Sequence, residues 1–560
     1  MQYAIPNLAS TIILRHCAVD ERCHGYSIKQ RVQELKRITG KSRAASTAAP
    51  HPTPNTRIPD GGGVWSTANW RAPPVGQWDR LKGLRHPFLA FAAKYGVQKR
   101  LVAHCEQRSE HPAIGEYTVL QARHTLGNCL GLSETESLLI QDHQPFALNT
   151  MSALLRLVEE PDANLVQSLT DGARTGCLAP IPFSGMFFPE EGDSTFHSHQ
   201  DPSSSLAFLE CDGNWWQASS GPATTQLLID NDIAQGFVYE ITGGADEAHL
   251  RWPHKVAIGK LNLAVSDSKP SRLVLDSTVP NVNPRSQILE RAEIPSLMPI
   301  THAMQGYTGI SDLVAFSLDV KAAHKRVRTR PAELGLLLFG HLDKLYGYRA
   351  CHFGAKFSAY WWARVGAFLQ RVSHLFLFVE HMGYLFVDDS LWNFDAQAAP
   401  LQESALLLFL SSLGVPLSWH KLEFGVAVRW IGWDLAFGLG TVSIPADKRA
   451  RVHGLLQSSV AAKPSIQRKE FEKGLGLRVW AIWPTPLLRA WLSALYHCLH
   501  NDSPQMLSVT RAQLLTALNL NDSLVVSCSS GIFGDRRSGC QGQQLLATVG
   551  VGALESGEVR

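Results

Sequence analysis

The sequence lacks the features that mark several large classes of protein. Its ten cysteines form no Cys-x-x-Cys pair, so neither a zinc ribbon nor a disulfide framework is indicated, and free thiols in a reducing compartment are the simpler interpretation. The apolar run at residues 375–387 is interrupted by Glu380 and His381 and is too short and too polar to cross a bilayer. The N-terminus has no basic start followed by a clean apolar run, as a signal peptide would. We therefore expect an intracellular protein, in the cytoplasm or the nucleus, without membrane contact.

Neither sign of charge dominates the chain. It has 52 Lys and Arg against 49 Asp and Glu, a formal net charge of +3, so the total charge does not identify a partner and local clusters must do so. With 560 residues, 45% of them hydrophobic, the chain is long enough for about two to four domains with sizeable cores.

The N-terminal part of the chain divides by composition. After an N-terminal segment, residues 1–40, the stretch 41–85 is rich in Ser, Thr, Ala, Pro, Asn and Gly and predicts a disordered linker. Residues 86–225 predict a mainly helical region of unknown role, in which Ser133-x-x-Glu136 has the spacing of a capping box.

One histidine pair lies in a polar stretch near the end of this region. His197 and His199 have the spacing of a metal-binding pair, but without further ligands nearby an ordinary polar loop is the simpler interpretation.

From about residue 226 the pattern changes to short β-branched and aromatic runs separated by Gly, Asp, Ser and Pro, which predict strands. The predicted strands are "GFVYEIT", "KVAIGKLNLAV", "SRLVLDSTV", "DLVAFSLDV", "GYLFV" and "VRWIGWDL". Helical spacing appears in "SAYWWARVGAFLQRV", in residues 400–413, and from Pro445 to about residue 520. The polar, Gly-rich residues 526–560 predict a flexible tail.

Two adjacent aspartates, Asp388 and Asp389, directly follow the apolar run Tyr384–Val387. Aspartate is common in turns, so a plain turn is one interpretation. The other is a metal site, because charged carboxylates beside a buried strand need compensation and Mg²⁺ prefers carboxylate oxygens. Asp319 ends a second apolar run and is the candidate for a further ligand. If the two strands are neighbours, Asp319 and Asp388 can share two Mg²⁺ ions about 4 Å apart, the arrangement that supports in-line phosphoryl transfer.

At this point the sequence resembles the reverse transcriptase domain of eukaryotic retroelements. The resemblance covers roughly residues 226–500 and rests on six blocks in order. The blocks are "SKPSRLVLDSTVPNVN", "FSLDVKAAHKRV", "HFGAKFSAYWWARVGAFLQ", "YLFVDDSLW", "LGVPLSWHKLEFG" and "VRWIGWDL".

The resemblance implies an α+β, right-hand polymerase fold, with an antiparallel palm sheet and a helical N-terminal region in front of it. We expect the fingers in residues 226–300, the palm with the catalytic site in 301–440 and a helical thumb in 441–525.

The resemblance also implies roles for single residues. Asp319 and Asp388 would be the main ligands of two Mg²⁺ ions, for which Mn²⁺ can substitute, and Asp389 would assist. A backbone carbonyl near Val320 is a candidate extra ligand.

On the nucleotide side, Arg272 would contact the triphosphate of the incoming dNTP, because a planar guanidinium suits phosphate recognition. Either Lys260 or Lys269 would add a second phosphate contact. Phe353 and Gly354 fall where the family packs the sugar and the template base, and Gly354 would permit close backbone approach.

Several positions depart from the family pattern. The aromatic gate against the ribose 2′-hydroxyl is His324, the polar position three residues after Asp319 is Ala322, and the proline of the nucleotide-side block is Ala359. The aspartate box begins with Phe386 instead of the commoner tyrosine. None of these changes removes a metal ligand, but His324 leaves the choice between deoxyribonucleotides and ribonucleotides open.

Basic residues are concentrated where the thumb is expected. Residues 440–500 contain nine Lys and Arg against three acids, with Trp480, Trp483 and Trp491 among them. A solvated helical face is the simpler interpretation, whereas the resemblance implies a grip on duplex phosphates. The candidate nucleic-acid contacts are Lys448, Arg449, Arg468, Lys469 and Lys473. The run "KRVRTR" at 325–330 would meet the template or form a solvated strand edge.

These observations predict a retrotransposon-type RNA-directed DNA polymerase acting on an RNA/DNA template-primer with dNTPs. Two alternatives stay open: a catalytically inactive or domesticated nucleic-acid-binding derivative, and an RNA-dependent RNA polymerase. Beyond residue 500 we find neither the acidic strand residues of an RNase H site nor a zinc-binding integrase head.

Overall fold

The computed structural model shows an α+β protein in which several sheets are packed among helices. It describes residues 80–107, 109–142, 144–189, 206–266, 269–292, 313–377, 381–451 and 465–482, short pieces at 12–14, 64–65, 70–71, 506–508 and 525–527, and single residues at 297, 300, 304, 492, 496 and 499. The predicted pair His197 and His199, most of the 1–40 segment and nearly all of the predicted tail lie outside these ranges. Within them, no helix has the length and apolarity that a bilayer crossing requires.

The helices include α1 (Lys82–Lys94), α2 (Val97–Gln107), α3 (Glu116–Cys129), α4 (Glu134–Leu138), α5 (Leu148–Leu157), α6 (Leu165–Asp171), α7 (Trp216–Ser220), α8 (Pro222–Ala234), α9 (Gly244–Arg251), α10 (Val282–Arg285), α11 (Lys356–Phe376), α12 (Ala399–Ser412) and α13 (Arg468–Ala481).

The strands include β1 (Ile12–Leu14), β2 (Val64–Trp65), β3 (Trp70–Arg71), β4 (Phe188–Pro189), β5 (Val238–Ile241), β6 (Ile258–Ser266), β7 (Lys269–Asp276), β8 (Glu290–Arg291), β9 (Leu313–Asp319), β10 (Leu338–His341), β11 (Lys344–Tyr348), β12 (His381–Phe386), β13 (Asp389–Asp395), β14 (Glu423–Gly425), β15 (Ala427–Trp430), β16 (Trp433–Ala436), β17 (Thr441–Ser443), β18 (Ser465–Gln467), β19 (Met506–Ser508) and β20 (Val525–Ser527).

The N-terminal helical region forms as the sequence predicts, with six helices between Lys82 and Asp171. The first of them begins inside the predicted linker, which also contributes the small strand pair β2–β3. The capping box is confirmed: Ser133 Oγ accepts a hydrogen bond from the Glu136 backbone N–H, and the Glu136 carboxylate accepts one from the Ser133 backbone N–H. These two bonds satisfy backbone donors that the start of α4 would otherwise leave unpaired.

The central sheet has the order β1-β12-β13-β9-β14, and all of its pairs are antiparallel. Strands β9 and β13 are buried along almost their whole length, as expected for apolar runs inside a layered fold. Helices α11 and α12 pack against this sheet, and α12 also contacts α1, α2 and α3. Because α12 lies between the sheet and the N-terminal helices, its side chains are buried all round from Gln402 to Ser412.

Two buried ion pairs attach the N-terminal region to α11. The Arg364 guanidinium donates to both carboxylate oxygens of Asp162, at 2.8 and 2.7 Å, and Arg371 pairs with Glu160 in the same way. One hydrophobic core also runs from α1 through α11 and α12 to Leu422. The helical region of unknown role therefore shares its core with the sheet.

A second sheet has the order β5-β11-β10-β6-β7 and carries the long hairpin β6–β7 at its edge. In this hairpin Leu273 and Leu275 are buried, whereas Arg272 is exposed on the other face. The alternation follows from the period of two along a strand. The face of the hairpin that carries Arg272 therefore lies outside the buried core.

The sequence predicts helix from Pro445 to about residue 520, and the structure differs from this prediction. Helix α13 is present, but β18 pairs with β19, and β20 joins the sheet β15-β16-β17. Strands of three residues are too short to show a period, and their partners are distant in sequence, so local pattern does not reveal them.

We expect Arg364→Met to lower the free energy of unfolding by about 3–5 kcal/mol, because Asp162 would stay buried without its counter-charge. The two side chains are 0% and 1% exposed. Urea unfolding followed by circular dichroism measures the change. The matched control is Lys344→Met, which breaks the exposed pair with Glu240 and should cost less than about 1 kcal/mol. Equal losses in the two variants would contradict the assignment.

Candidate active site

A tight hairpin turn presents Asp388. Strands β12 and β13 pair up to Phe386 and Asp389, so Val387 and Asp388 form a two-residue turn. Val387 has a φ of 59°, which a β-branched residue adopts only under constraint. The constraint is visible, because the Trp362 indole N–H on α11 donates to the Val387 carbonyl at 2.6 Å. The turn is thus held in place by the helix behind the sheet.

The neighbouring strand brings Asp319 to the same corner. Asp319 and Asp389 are direct partners in the antiparallel pairing of β9 and β13, and the Val320 N–H donates to the Asp388 carbonyl at 3.0 Å. Directly paired residues point to the same face with Cβ atoms about 5 Å apart. Three carboxylate-bearing residues from two chain segments therefore meet at one corner of the central sheet.

Crowding of these carboxylates changes their acidity. Burial, followed by the charges of Asp319 and Asp388, raises the pKa of Asp389 to about 8. Burial, followed by the charge of Asp319, also raises the pKa of Asp388. Groups at one site with raised pKa values are a mark of a functional site, because a fold does not need such repulsion for stability.

Two residues that the sequence analysis did not single out compensate Asp319. The Lys421 ammonium lies 3.0 Å from Asp319 Oδ2, and Ser418 Oγ donates to Asp319 Oδ1 at 2.6 Å. The Ser418 backbone N–H also donates to the Asp319 carbonyl at 2.8 Å. Both belong to the block "LGVPLSWHKLEFG", so their order in the chain was the signal that could have identified them.

The predicted nucleotide-side residues lie together. The Arg272 guanidinium is 5.9 Å from the centre of the Phe353 ring, and the His324 and Phe353 ring centres are 5.5 Å apart. The charge of Arg272 lowers the pKa of Asp388, in opposition to the burial and the Asp319 charge that raise it. Three residues predicted from three separate blocks thus form one cluster that is electrostatically coupled to the carboxylates.

His324 is placed as a neutral, flat group in this cluster. It begins a short 3₁₀ helix, His324–Arg326, and burial lowers its pKa. Its Nε2 atom is buried and makes no hydrogen bond in the part of the chain that the structure describes. The ring is therefore held by shape and packing, and its Nε2 edge is enclosed.

Gly354 permits its own backbone segment to lie close to the backbone of strand β7. It has a φ of +104°, and a Cβ atom there would lie 2.0 Å from the Leu275 carbonyl oxygen. The Leu275 N–H donates to the Phe353 carbonyl at 3.1 Å, and the Asn283 side-chain amide donates to the Gly354 carbonyl at 2.7 Å. Glycine is therefore required here to seat the Phe353 segment against the hairpin.

Lys260 and Lys269 are the two candidates for a second contact with the triphosphate, and the structure describes the side chain of Lys260 but not that of Lys269. The Lys260 ammonium lies 5.8 Å from the Trp215 ring centre, and the strand partner of Lys260 is Asp276.

The predicted nucleic-acid contacts differ in how they are engaged. Lys448 donates to the Gly432 carbonyl at 3.1 Å and lies 4.5 Å from the Trp480 ring centre, so it supports the β15–β16 turn from inside. Arg468 pairs with Glu472 one helical turn away. The exposed members are Arg449, Lys469 and Lys473.

The run 325–330 is used largely within the fold. Lys325 pairs with Asp232 at 2.6 Å, and both side chains are nearly buried. Arg326 donates to the Lys321 carbonyl, and Arg328 donates to the Thr170 carbonyl. These contacts give the run a structural role, unlike either interpretation of it from the sequence.

The carboxylate corner has the chemistry of a hard-cation site. In the described ranges no three His, Cys, Asp or Glu side chains already converge as a complete ligand set. The donors present are oxygens, however, and the raised pKa values of Asp388 and Asp389 reflect burial and then repulsion between carboxylates, both of which a divalent cation would offset. The residues therefore fit Mg²⁺ or Mn²⁺, whose remaining ligands would be water and substrate oxygens.

Comparison with known proteins gives similarity at the level of structures only. No protein-family profile and no curated protein sequence matches the chain. The chain is similar to the foamy viral protease-reverse transcriptase in complex with an RNA/DNA hybrid, at 14% identity over 57% of this chain and 39% of that chain, with a TM-score of 0.43. The same viral protein in complex with double-stranded DNA matches at 12% identity over 74% of this chain and 72% of that chain, with a TM-score of 0.42.

We expect Asp389→Asn to stabilise the metal-free protein at high pH. Because the folded-state pKa of Asp389 lies above its ordinary value, the folded state holds its proton longer, and stability falls as pH rises from 3.8 to about 8. The substitution should remove part of this fall, on the order of 1 kcal/mol at pH 8, and change little below pH 4. Unfolding in urea with EDTA at the two pH values measures it.

The control is Asp395→Asn, since Asp395 lies exposed at the other end of the same strand. Asp395→Asn should leave the pH dependence of the free energy of unfolding unchanged. A loss of stability at pH 8 in Asp389→Asn would show that Asp389 makes a net favourable contact instead.

Proposed function

We propose that the protein is an RNA-directed DNA polymerase that extends a primer by two-metal phosphoryl transfer from dNTPs. The observation that carries the proposal is the direct pairing of Asp319 with Asp389, with Asp388 on the adjoining turn. The charge of Arg272 acts on Asp388, so a triphosphate bound by Arg272 would lie near the metal site.

The proposed right-hand fold follows from the same arrangement. Strands β9, β12, β13 and β14 of the central sheet, backed by α11 and α12, serve as the palm within residues 301–440. The hairpin β6–β7 belongs to the fingers, 226–300, and carries Arg272 on its exposed face. Residues 441–525 take the place of the thumb, with strands as well as helix.

Asp319, Asp388 and Asp389 are the residues that would hold two Mg²⁺ ions. When bound, the ions neutralise charge on the attacking and leaving oxygens of the transfer. Arg272 binds and orients the triphosphate, and Phe353 and His324 border the sugar. Exposed basic residues, Lys469 and Lys473 on α13 among them, attract the phosphates of the template-primer.

An RNA-dependent RNA polymerase is the second candidate, and His324 favours it. Its ring is smaller than the phenylalanine or tyrosine side chains expected at a sugar gate. Primer extension on RNA and DNA templates, with dNTPs and separately with NTPs, distinguishes the two activities. Extension with neither nucleotide set, together with retained nucleic-acid binding, would identify an inactive derivative.

We expect Asp388→Asn and Asp319→Asn each to reduce primer extension on the order of a thousandfold, because the asparagine keeps the shape but not the charge that holds the metal. The double variant should be little worse than either single one, since both residues serve one site. Asp389→Asn should reduce the rate of primer extension by a smaller factor. Single-turnover extension with Mg²⁺ measures the rates.

Asp395→Asn is again the matched control and should extend normally. Because the carboxylates repel each other, Asp388→Asn should fold at least as stably as the unmodified protein. If Asp388→Asn unfolds the protein or leaves extension intact, the aspartate pair is a structural turn and the enzyme proposal fails.

We expect His324→Ala to raise incorporation of NTPs while largely preserving that of dNTPs, because the side chain that borders the sugar becomes smaller. His324→Phe supplies a larger ring and should sharpen the preference for dNTPs. The ratio of kcat/KM for matched dNTP and NTP measures the effect. Equal use of both sugars by the unmodified protein would show that His324 is not a gate.

A further inference from the structure

We infer that Lys421 is an internal counter-cation that competes with a divalent ion for Oδ2 of Asp319. The inference rests on the proposed metal site and concerns a positioning residue, not a group that reacts. Its consequence is that Lys421 sets the metal affinity of the protein in the absence of substrate.

The contact has the geometry of a temporary ligand. Lys421 Nζ lies 3.0 Å from Asp319 Oδ2, on the carboxylate that is also held by Ser418 through Oδ1. With both oxygens engaged, Asp319 is oriented in advance, and each oxygen keeps a second lone pair. The ammonium beside Oδ2 repels an entering divalent ion, so the two cations compete for this oxygen.

The exposure of the two side chains makes this exchange feasible. The Lys421 side chain is 51% exposed, whereas that of Asp319 is 18% exposed. A half-exposed ammonium on a flexible stem regains water when it moves away, so release costs little. The carboxylate is the fixed partner of the pair and the ammonium is the mobile one.

The charge balance at the corner explains why a counter-cation is needed. Asp319, Asp388 and Asp389 bring three carboxylates together, and the positive charges that act on Asp388 are those of Lys421 and Arg272. Lys421 acts on Asp389 as well. Arg272 belongs to a different sheet, whereas Lys421 contacts Asp319 directly.

Lys421→Met in the full-length protein tests the inference. Mn²⁺ binding is titrated by electron paramagnetic resonance without nucleotide or nucleic acid at low salt. Removing a competing positive charge about 3 Å from a ligand oxygen should tighten Mn²⁺ binding about 5- to 10-fold. The difference should shrink at high salt, because exposed charges are screened.

Three further variants give the comparison its meaning. Lys421→Arg keeps the charge and should not tighten binding. Lys344→Met removes an equally exposed lysine with a 3.0 Å ion pair to Glu240, far from the carboxylates, and should leave Mn²⁺ binding unchanged. Asp388→Asn should weaken binding with either residue at position 421, which ties the signal to this site.

The outcomes separate the inference from the proposed function. Tighter binding in Lys421→Met, or binding that appears only in that variant, supports the inference. Unchanged or weaker binding in a folded Lys421→Met protein overturns it, even if primer extension by the unmodified protein upholds the polymerase. If no variant binds Mn²⁺ in a manner dependent on Asp388, and no extension occurs, both the inference and the polymerase proposal are wrong.

Discussion

Electrostatic repulsion among three carboxylates at one corner of the central sheet is the constraint on which the rest of the site depends. Asp319 and Asp389 face each other across adjacent strands, with Asp388 on the turn beside them. The neighbouring groups hold this arrangement: Trp362 fixes the turn and Lys421 neutralises part of the charge. A turn with a purely structural role would not need both the Trp362 hydrogen bond and the Lys421 ion pair. Features that reduce local stability are expected where function requires them.

The N-terminal helices are better understood as part of this support than as a separate module. They share one core with α11 and α12, and Arg364 and Arg371 on α11 are paired with Asp162 and Glu160 behind the sheet. Helix α11 also carries Trp362, which holds the aspartate turn. A shift of the N-terminal region can therefore reach the carboxylates through α11, which carries both the buried ion pairs and Trp362.

Local sequence pattern was sufficient where the cause of structure is local. Apolar runs of strand length and the Ser133 capping box depend on near neighbours, and both form as predicted. The carboxylate corner was predicted only because ordered blocks implied that two strands are neighbours. Lys421 and Lys448 show where prediction from local sequence ends. Lys421 donates to the Asp319 carboxylate and Lys448 to the Gly432 carbonyl, and these partners come close only in the folded chain. A lysine count does not separate a surface cation from an internal one.

The two halves of the site are coupled through the electrostatic field, and each half is built differently. Arg272 and Phe353 are held together because Gly354 fits against Leu275 so closely that a side chain has no room there, and the His324 ring contacts Phe353. The carboxylates belong to the rigid central sheet. The charge of Arg272 nevertheless lowers the pKa of Asp388, although burial and the charge of Asp319 raise it overall. A triphosphate bound by Arg272 would reduce that field at the moment when its own oxygens arrive, so substrate and metal would favour each other's binding at this corner.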